Sequence, residues 1–251
     1  PSVGAPGCGR LDRAQFLAGW RADMREKMSS TSFLPPACAP GDATALLRSQ
    51  GYAVLGAQGV CELAGCTLDE LMAMTPGWDG MPHDAYLKDG GRYRRRRHSC
   101  FVVDGDTVRP VPHRAHWQPV EYNALHGGME RWFEPMAAAD VARPAWARLL
   151  SGIGRPTPEG AHRDGVDLVA VFLVGREGIK GGETRVFEAD GPNGQRFTLT
   201  EPWSLLLLDD ARVIHESTPI QPLAAGGHRD TLVVTCRAGG FQDAAAQPGV
   251  A

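Results

Sequence analysis

No stretch of this chain approaches the roughly 20 consecutive apolar residues that span a bilayer. The longest apolar runs, such as Leu205-Leu206-Leu207-Leu208, have the length of a strand. No charged n-region leads into an apolar h-region at the N-terminus, so a signal peptide is not expected. No CxxC pair occurs among the six cysteines at positions 8, 38, 61, 66, 100 and 236. That spacing supports neither a zinc site nor a dithiol redox motif and leaves free thiols in a reducing cytoplasm as the expectation. An excess of positive charge is also missing. The formal net charge is -3, which argues against a general nucleic-acid binder. Finally, no break in composition divides the 251 residues, so a single domain is expected, with 43% hydrophobic residues enough for one sizeable core.

The front of the chain carries helical patterns. Residues 1–10, rich in Gly and Pro, read as a tail. Leu17, Trp20, Met24 and Met28 recur at helical spacing behind Asp12, a capping residue type. Residues 42–50 predict a short helix stopped by Gly51. Tyr52-Ala53-Val54-Leu55 predicts a strand, and Thr67 with Glu70 has the capping-box form that opens a helix through Met74. Residues 76–84 are turn-rich.

A basic run then spans residues 92–98 and leads into Ser99-Cys100-Phe101-Val102-Val103, with Asp104-Gly105-Asp106 as a hairpin signal. On a strand Tyr93, Arg95 and Arg97 share one face, and Arg94, Arg96 and His98 the other. A nucleic-acid surface would want a second basic stripe, which the chain lacks. The solvated alternative is a charged edge that resists aggregation. The reading adopted combines a solvated face with one arginine turned inward to grip a substrate carboxylate, a task that suits the planar guanidinium fork. His113 and His116 form HxxH, but Pro110 and Pro112 argue for a loop there, and a metal site would need further ligands. Residues 129–150 show helical periodicity broken by Pro135 and Pro144. Residues 152–160 are turn-rich.

From residue 160 the pattern becomes all-β. Residues 166–174 form a continuous apolar, β-branched run. Residues 175–182 read as a long glycine-rich hairpin loop and a candidate lid. Strands are predicted at 184–187, 197–200, 203–209, 213–215 and 231–237, with Gly191-Pro192-Asn193-Gly194 as a turn. Short strands with regular turns and no intervening helices predict a β-sandwich or barrel.

His162-Arg163-Asp164 stands at the entrance to this region. A histidine and a carboxylate two residues apart point to the same side of an extended strand. His215 follows a buried strand and a turn. Two imidazoles and one carboxylate on one face of an iron leave the opposite face open, the facial triad of non-haem Fe(II) oxygenases. A keto-acid on that open face has a second carboxylate, which needs a cation. Arg229 and Thr231, on one face of the last strand, offer a guanidinium and a hydroxyl. Each feature alone is weak: HxD arises by chance, and Arg229 beside Asp230 could be a surface ion pair worth little. Their joint order is what carries the reading.

The stretches HRDGVDLVAVFLVGREGIKGGETRVF, LLLLDDARVIHESTPI and HRDTLVVTCR, with YRRRRHSCFVV and NALHGGMERWFEP upstream, resemble the 2OG-Fe dioxygenase family that includes bacterial L-isoleucine 4-hydroxylase and related free-amino-acid hydroxylases. The resemblance covers roughly residues 40–240 and is most specific from 162 onward. It implies an α+β, mainly β protein with a double-stranded β-helix (jelly-roll, cupin-like) core and N-terminal helices packed outside it. The expected division is a tail at 1–10, one dioxygenase domain at 11–240 (helix-rich front part 11–150, core mainly 160–237) and a tail at 241–251. It implies Fe(II) held by His162, Asp164 and His215, 2-oxoglutarate as cosubstrate bound by Arg229 with Thr231 and Thr184 as helpers, and O2 as oxidant. No protein general base is required.

The activity expected is hydroxylation of an aliphatic carbon of a free L-amino acid or close derivative, with release of succinate and CO2. Arg95, Arg97 and Asn123 are the candidate substrate contacts, and Asp209, Asp210 or Glu130 could meet an amine. The alternatives are desaturation or cyclisation of a specialised metabolite by the same oxidative chemistry, a hydroxylase of protein or nucleic acid, and a non-catalytic cupin-like binding protein. An open iron face argues against the last, because a pure binder has no use for it. No nucleic-acid or membrane partner is expected, and the oligomeric state is left open.

Overall fold

A computed structural model of the chain describes residues 34–83, 93–95, 98–104, 107–111, 150–153 and 161–238, with the backbone alone considered for 98–104, 107–111 and 150–153. The predicted helix at 12–28, His113, His116 and residues 129–149 lie outside the described residues.

Three α-helices are present among the described residues. Helix α1 (Ala43–Gln50) ends where predicted: Gly51 adopts φ 81, and its N–H reaches the Leu47 carbonyl at 3.0 Å. Only glycine takes this left-handed cap without steric cost. Helix α2 (Ala57–Ala64) was not predicted, and it buries Ala57, Val60, Cys61 and Ala64. Helix α3 (Leu68–Met72) opens on the predicted capping box. Thr67 and Glu70 exchange side-chain and backbone bonds at 2.8 and 3.2 Å.

Twelve strands follow from the described residues: β1 (Tyr52–Leu55), β2 (His98–Asp104), β3 (Thr107–Val111), β4 (Leu150–Ile153), β5 (Leu168–Glu177), β6 (Ile179–Gly181), β7 (Thr184–Glu188), β8 (Gly194–Phe197), β9 (Leu205–Asp209), β10 (Val213–Ser217), β11 (Ile220–Pro222) and β12 (His228–Cys236). They form a larger sheet in the order β1-β9-β5-β12-β4-β2-β3, a smaller sheet β10-β7-β8 and a ribbon β11-β6, all antiparallel.

Strands β1, β9, β5 and β12 of the larger sheet are covered on both faces, which is why β5 and β9 read as unbroken apolar runs rather than alternating ones. One face presents Ala170, Phe172, Leu205, Leu207, Leu232 and Val234 to the helices, where Trp78 and Trp203 meet edge to face at 5.9 Å. The other face presents Val169, Leu173, Leu206 and Leu208 to Val186, Phe197 and Val213 of the smaller sheet. This second cluster is the interior of the mainly β, double-stranded β-helix core.

The strands expected in the front part, at 52–55 and before the 104–106 hairpin signal, are β1 and β2, and they join the larger sheet with β3. Several other local expectations are corrected. The strand predicted through the basic run begins at His98, and Arg95 makes only a single bridge, to His83. Leu150 and Gly152 lie in β4 rather than in a helix end and a turn, because the edges of β12 and β2 pair with them. Pro110 sits in β3, an edge strand, where the missing N–H costs no ladder bond. The predicted strand at 197–200 is β8, ending at Phe197.

The glycine-rich stretch 175–182 is not a loop: β5 continues through Glu177, and Ile179–Gly181 pairs with β11. Its glycines supply positive φ at Gly178, Gly181 and Gly182, which lets two strands follow each other almost without a connection.

Candidate metal centre

The site is built on β10. Val213 belongs to the interior cluster, so His215 and Ser217, at two-residue spacing, face the same interior. Val186, opposite His215 in register, is also an interior residue, and Thr184 lies opposite Ser217. His162 joins the edge of this sheet through a reciprocal pair of backbone bonds with His215, at 3.0 and 3.1 Å. Two histidines distant in sequence are thereby fixed side by side, with ring centroids 4.6 Å apart.

Asp164 arrives differently from the sequence expectation. After His162 the backbone leaves the strand, so period-two alternation is not what aims the carboxylate. Asp210 aims it instead. Its fully buried carboxylate accepts the Asp164 N–H at 2.9 Å through Oδ1, and those of Gly165 and Val166 at 2.7 and 3.1 Å through Oδ2. The Arg163 Nε–H donates to the Asp210 carbonyl at 2.5 Å. Gly165 takes φ 75 to complete the turn. Asp210 is thus committed to the backbone and is not available to a substrate amine. Asp209 caps its own turn through the Ala211 N–H at 3.2 Å.

The result is a compact donor set. Asp164 Oδ1 lies 3.6 Å from His162 Nε2, and Asp164 Oδ2 lies 3.8 Å from His215 Nε2. One ligand atom from each residue falls within 4.8 Å of the others, and this is the group of metal-ligating side chains that converges among the described residues. Ligand bonds of ~2.1 Å at right angles would set neighbouring donors ~3 Å apart, so small side-chain rotations close the set around one ion. Burial pushes the His215 imidazole below its ordinary pKa; Asp164 opposes this and His162 adds to it. A neutral imidazole is the form that binds a metal. The Nδ1 of His215 is buried and has no hydrogen-bond partner among the described residues. Two nitrogens and one carboxylate fit Fe(II) and leave other positions open.

Next to this set stands a cation. Arg229 Nη1 donates to Ser217 Oγ at 2.6 Å and to the Gly182 carbonyl at 3.4 Å. Burial, reinforced by the neighbouring Arg176 charge, pushes its guanidinium down to about 10. Ser217 was missed by sequence reasoning, although its position two residues after His215 was the available signal. Thr231 faces Leu173 of the interior, and its carbonyl takes the Trp78 Nε1–H at 3.2 Å. Thr184 is brought beside Ser217. Arg95 is exposed and donates to the Met81 carbonyl at 3.2 Å, whereas its neighbour Arg94 is buried. Arg97, Asn123 and Glu130 lie outside the described residues.

A family model described as 2OG-Fe dioxygenase matches residues 75–154 and 151–235, which include the three converging ligands, Ser217 and Arg229. The chain belongs to the 2OG-Fe dioxygenase family. The family's Fe(II), 2-oxoglutarate and O2 agree with the donor set found here. A crystal structure of a bsmA homolog from Methylobium petroleophilum PM1 is 41% identical to this dioxygenase, with a TM-score of 0.68 over 86% of this chain and 99% of that one. The Fe(II)/α-ketoglutarate-dependent dioxygenase TqaL is 18% identical, with a TM-score of 0.60 over 79% of this chain and 86% of that one. IDO from Bacillus thuringiensis is 16% identical, with a TM-score of 0.59 over 86% of this chain and 99% of that one. The last two likenesses are of fold alone. No curated protein matches the chain significantly. No described helix is long and apolar enough to cross a membrane.

Proposed function

We propose that this dioxygenase hydroxylates an aliphatic carbon of a free L-amino acid or a close derivative, in a reducing cytoplasm, as a single catalytic domain. In this reading His162, Asp164 and His215 hold the iron, and Arg229 with Ser217 and Thr184 receives the distal carboxylate of 2-oxoglutarate. Thr231 shapes the wall beside them. The bound iron and 2-oxoglutarate supply O2 activation coupled to decarboxylation, giving succinate and CO2.

The protein's own part is to bind and orient. The carboxylate of Asp210 holds the Asp164 turn, so the metal ligand is positioned before any ligand arrives. The apolar interior around Val186, Leu206 and Leu208 excludes water from the reacting carbon. The reading rests on one observation above all: a buried guanidinium 2.6 Å from the hydroxyl two residues beyond a candidate iron ligand. The two-residue step from His215 to Ser217, roughly 7 Å along a strand, suits a short keto-diacid reaching from metal to arginine. The substrate class is supported by the motif resemblance to free-amino-acid hydroxylases, with Arg97 and Asn123 as its proposed contacts. Arg95, on the Met81 carbonyl, would have to turn from the surface to join them. Free thiols at Cys38, Cys61 and Cys236 accord with the reducing setting.

The test is succinate release from 2-oxoglutarate by anaerobically iron-loaded protein, started with O2, across a panel of free L-amino acids. Stimulation by one member with a product heavier by one oxygen is expected. A product lighter by two hydrogens would instead establish desaturation or cyclisation. Succinate release that no amino acid stimulates would overturn the substrate class, and no succinate at all would overturn the enzyme reading.

A further inference from the structure

Arg229 does not stand alone. Arg176 of β5 is its direct register partner across β12. A Cβ placed on Gly182 would lie 3.0 Å from Arg176 Nη1 and 3.2 Å from Arg229 Nη1, so both guanidiniums flank one point beside the Gly182 backbone. Each is tethered by neutral acceptors only. Arg229 uses Ser217 and the Gly182 carbonyl, and Arg176 donates from Nη2 to the Gly181 carbonyl at 2.6 Å. Arg176 Nη1 is buried without a hydrogen-bond partner, and neither arginine forms an ion pair with the described residues.

The Arg229 guanidinium is buried and Arg176 is half-buried, with its Nη1 turned inward, and two such like charges with no acid between them are unfavourable unless an anion completes them. Glu183, next to Gly182 in the chain, is engaged elsewhere: with Glu216 it brackets Arg185, at 2.9 and 3.1 Å. The ribbon β6–β11 and the positive φ of Gly181 and Gly182 keep both tethering carbonyls in place and leave room for the two forks.

We propose that Arg176 and Arg229 form a two-arginine clamp for the distal carboxylate of 2-oxoglutarate, with Arg176 as the residue that makes the site demand a full carboxylate there. This rests on the reading that Arg229 receives that carboxylate. A planar carboxylate has two oxygens and several lone pairs, enough to accept from both guanidiniums at once. Gly182 is the position that must stay without a side chain for the two to converge.

The test compares Arg176→Gln, Arg176→Lys and Arg229→Gln by two measurements. One is the 2-oxoglutarate concentration that half-saturates uncoupled succinate release, which needs no identified substrate. The other is the melting temperature of the metal-free, ligand-free protein. Arg176→Gln is expected to raise the half-saturating concentration roughly 10- to 100-fold, the range for one lost charge-assisted hydrogen bond. The loss should fall on half-saturation more than on the rate at saturation. Arg176→Lys, which keeps the charge and loses the fork, should recover part of the loss. The melting temperature of Arg176→Gln should be unchanged or higher, because one of two repelling charges has gone. An unchanged half-saturation for Arg176→Gln beside a large rise for Arg229→Gln would overturn the clamp and leave Arg229 in its role. No change in either variant would overturn both readings. A lowered melting temperature with an equal loss at saturation would make Arg176 a structural residue and overturn the clamp.

Discussion

Asp210→Asn isolates the group that aims Asp164. The carboxylate is fully buried and accepts three backbone N–H bonds, at 2.9, 2.7 and 3.1 Å. Asparagine has the same shape but only one acceptor oxygen. With that oxygen in the Oδ2 position, Gly165 and Val166 keep their bonds, now neutral and about half as strong. The amide NH2 then faces the Asp164 N–H, donor against donor, and an unsatisfied buried N–H costs about 1–3 kcal/mol. Relief from burying a charge offsets part of this, which leaves a net loss of about 2–4 kcal/mol. For a chain of this size that lowers the melting temperature by roughly 5–15 °C. Because the lost partner orients a metal ligand, metal affinity should fall about 10- to 100-fold. Calorimetry of the metal-free protein and a metal titration under anaerobic conditions read the two effects separately. Asp209→Asn, which retains an oxygen for the Ala211 N–H, is the control and should change little. A melting temperature and metal affinity both equal to those of the parent protein would refute the account of how Asp164 is positioned.

His162→Ala and Asp164→Ala should each abolish turnover while circular dichroism and melting stay near those of the parent; normal activity in either would remove the triad. Burial and the Arg176 charge push the Arg229 guanidinium down to about 10, and only its charged form attracts a carboxylate. Half-saturation by 2-oxoglutarate should therefore hold steady below that pH and rise as pH passes through it. The same charged form is the one that burial disfavours, so the cost of this group to the ligand-free fold is full below that pH and begins to fall as pH rises through it towards the guanidinium's ordinary value. A binding profile that stays level well above that pH would show that another group holds the cosubstrate. Gly181→Ala should destabilise the protein by about 2 kcal/mol or more, since its φ of 79 disfavours any side chain and a Cβ there runs into the Pro219 carbonyl. Denaturant unfolding with an unchanged midpoint would mean that the β6–β11 ribbon yields freely.

Much of this protein is written locally. Gly51 ends α1 because only glycine takes the left-handed cap, and Thr67 with Glu70 opens α3 because their side chains satisfy each other's backbone. The runs in β5 and β9 announce strands buried on both faces, and HxD, His215 and Arg229 announce the chemistry by residue type and order. These features follow from φ/ψ preference, period and ligand chemistry, all of which a short window contains. What the window lacks is the partner across the sheet. Asp209 and Asp210 are identical neighbours, and only the turn that brings Asp210 under the 164–166 backbone decides which one holds the metal ligand. Arg94 and Arg95 are likewise adjacent, yet one is buried and the other lies on the surface. Arg176, in a stretch that reads as a glycine-rich loop, becomes the neighbour of Arg229 only when β5 registers against β12. The sequence by itself determined the strands, the caps and the kinds of donor atom. The tertiary structure decided which donors meet, because pairing between distant strands, not local preference, sets the distances between their side chains.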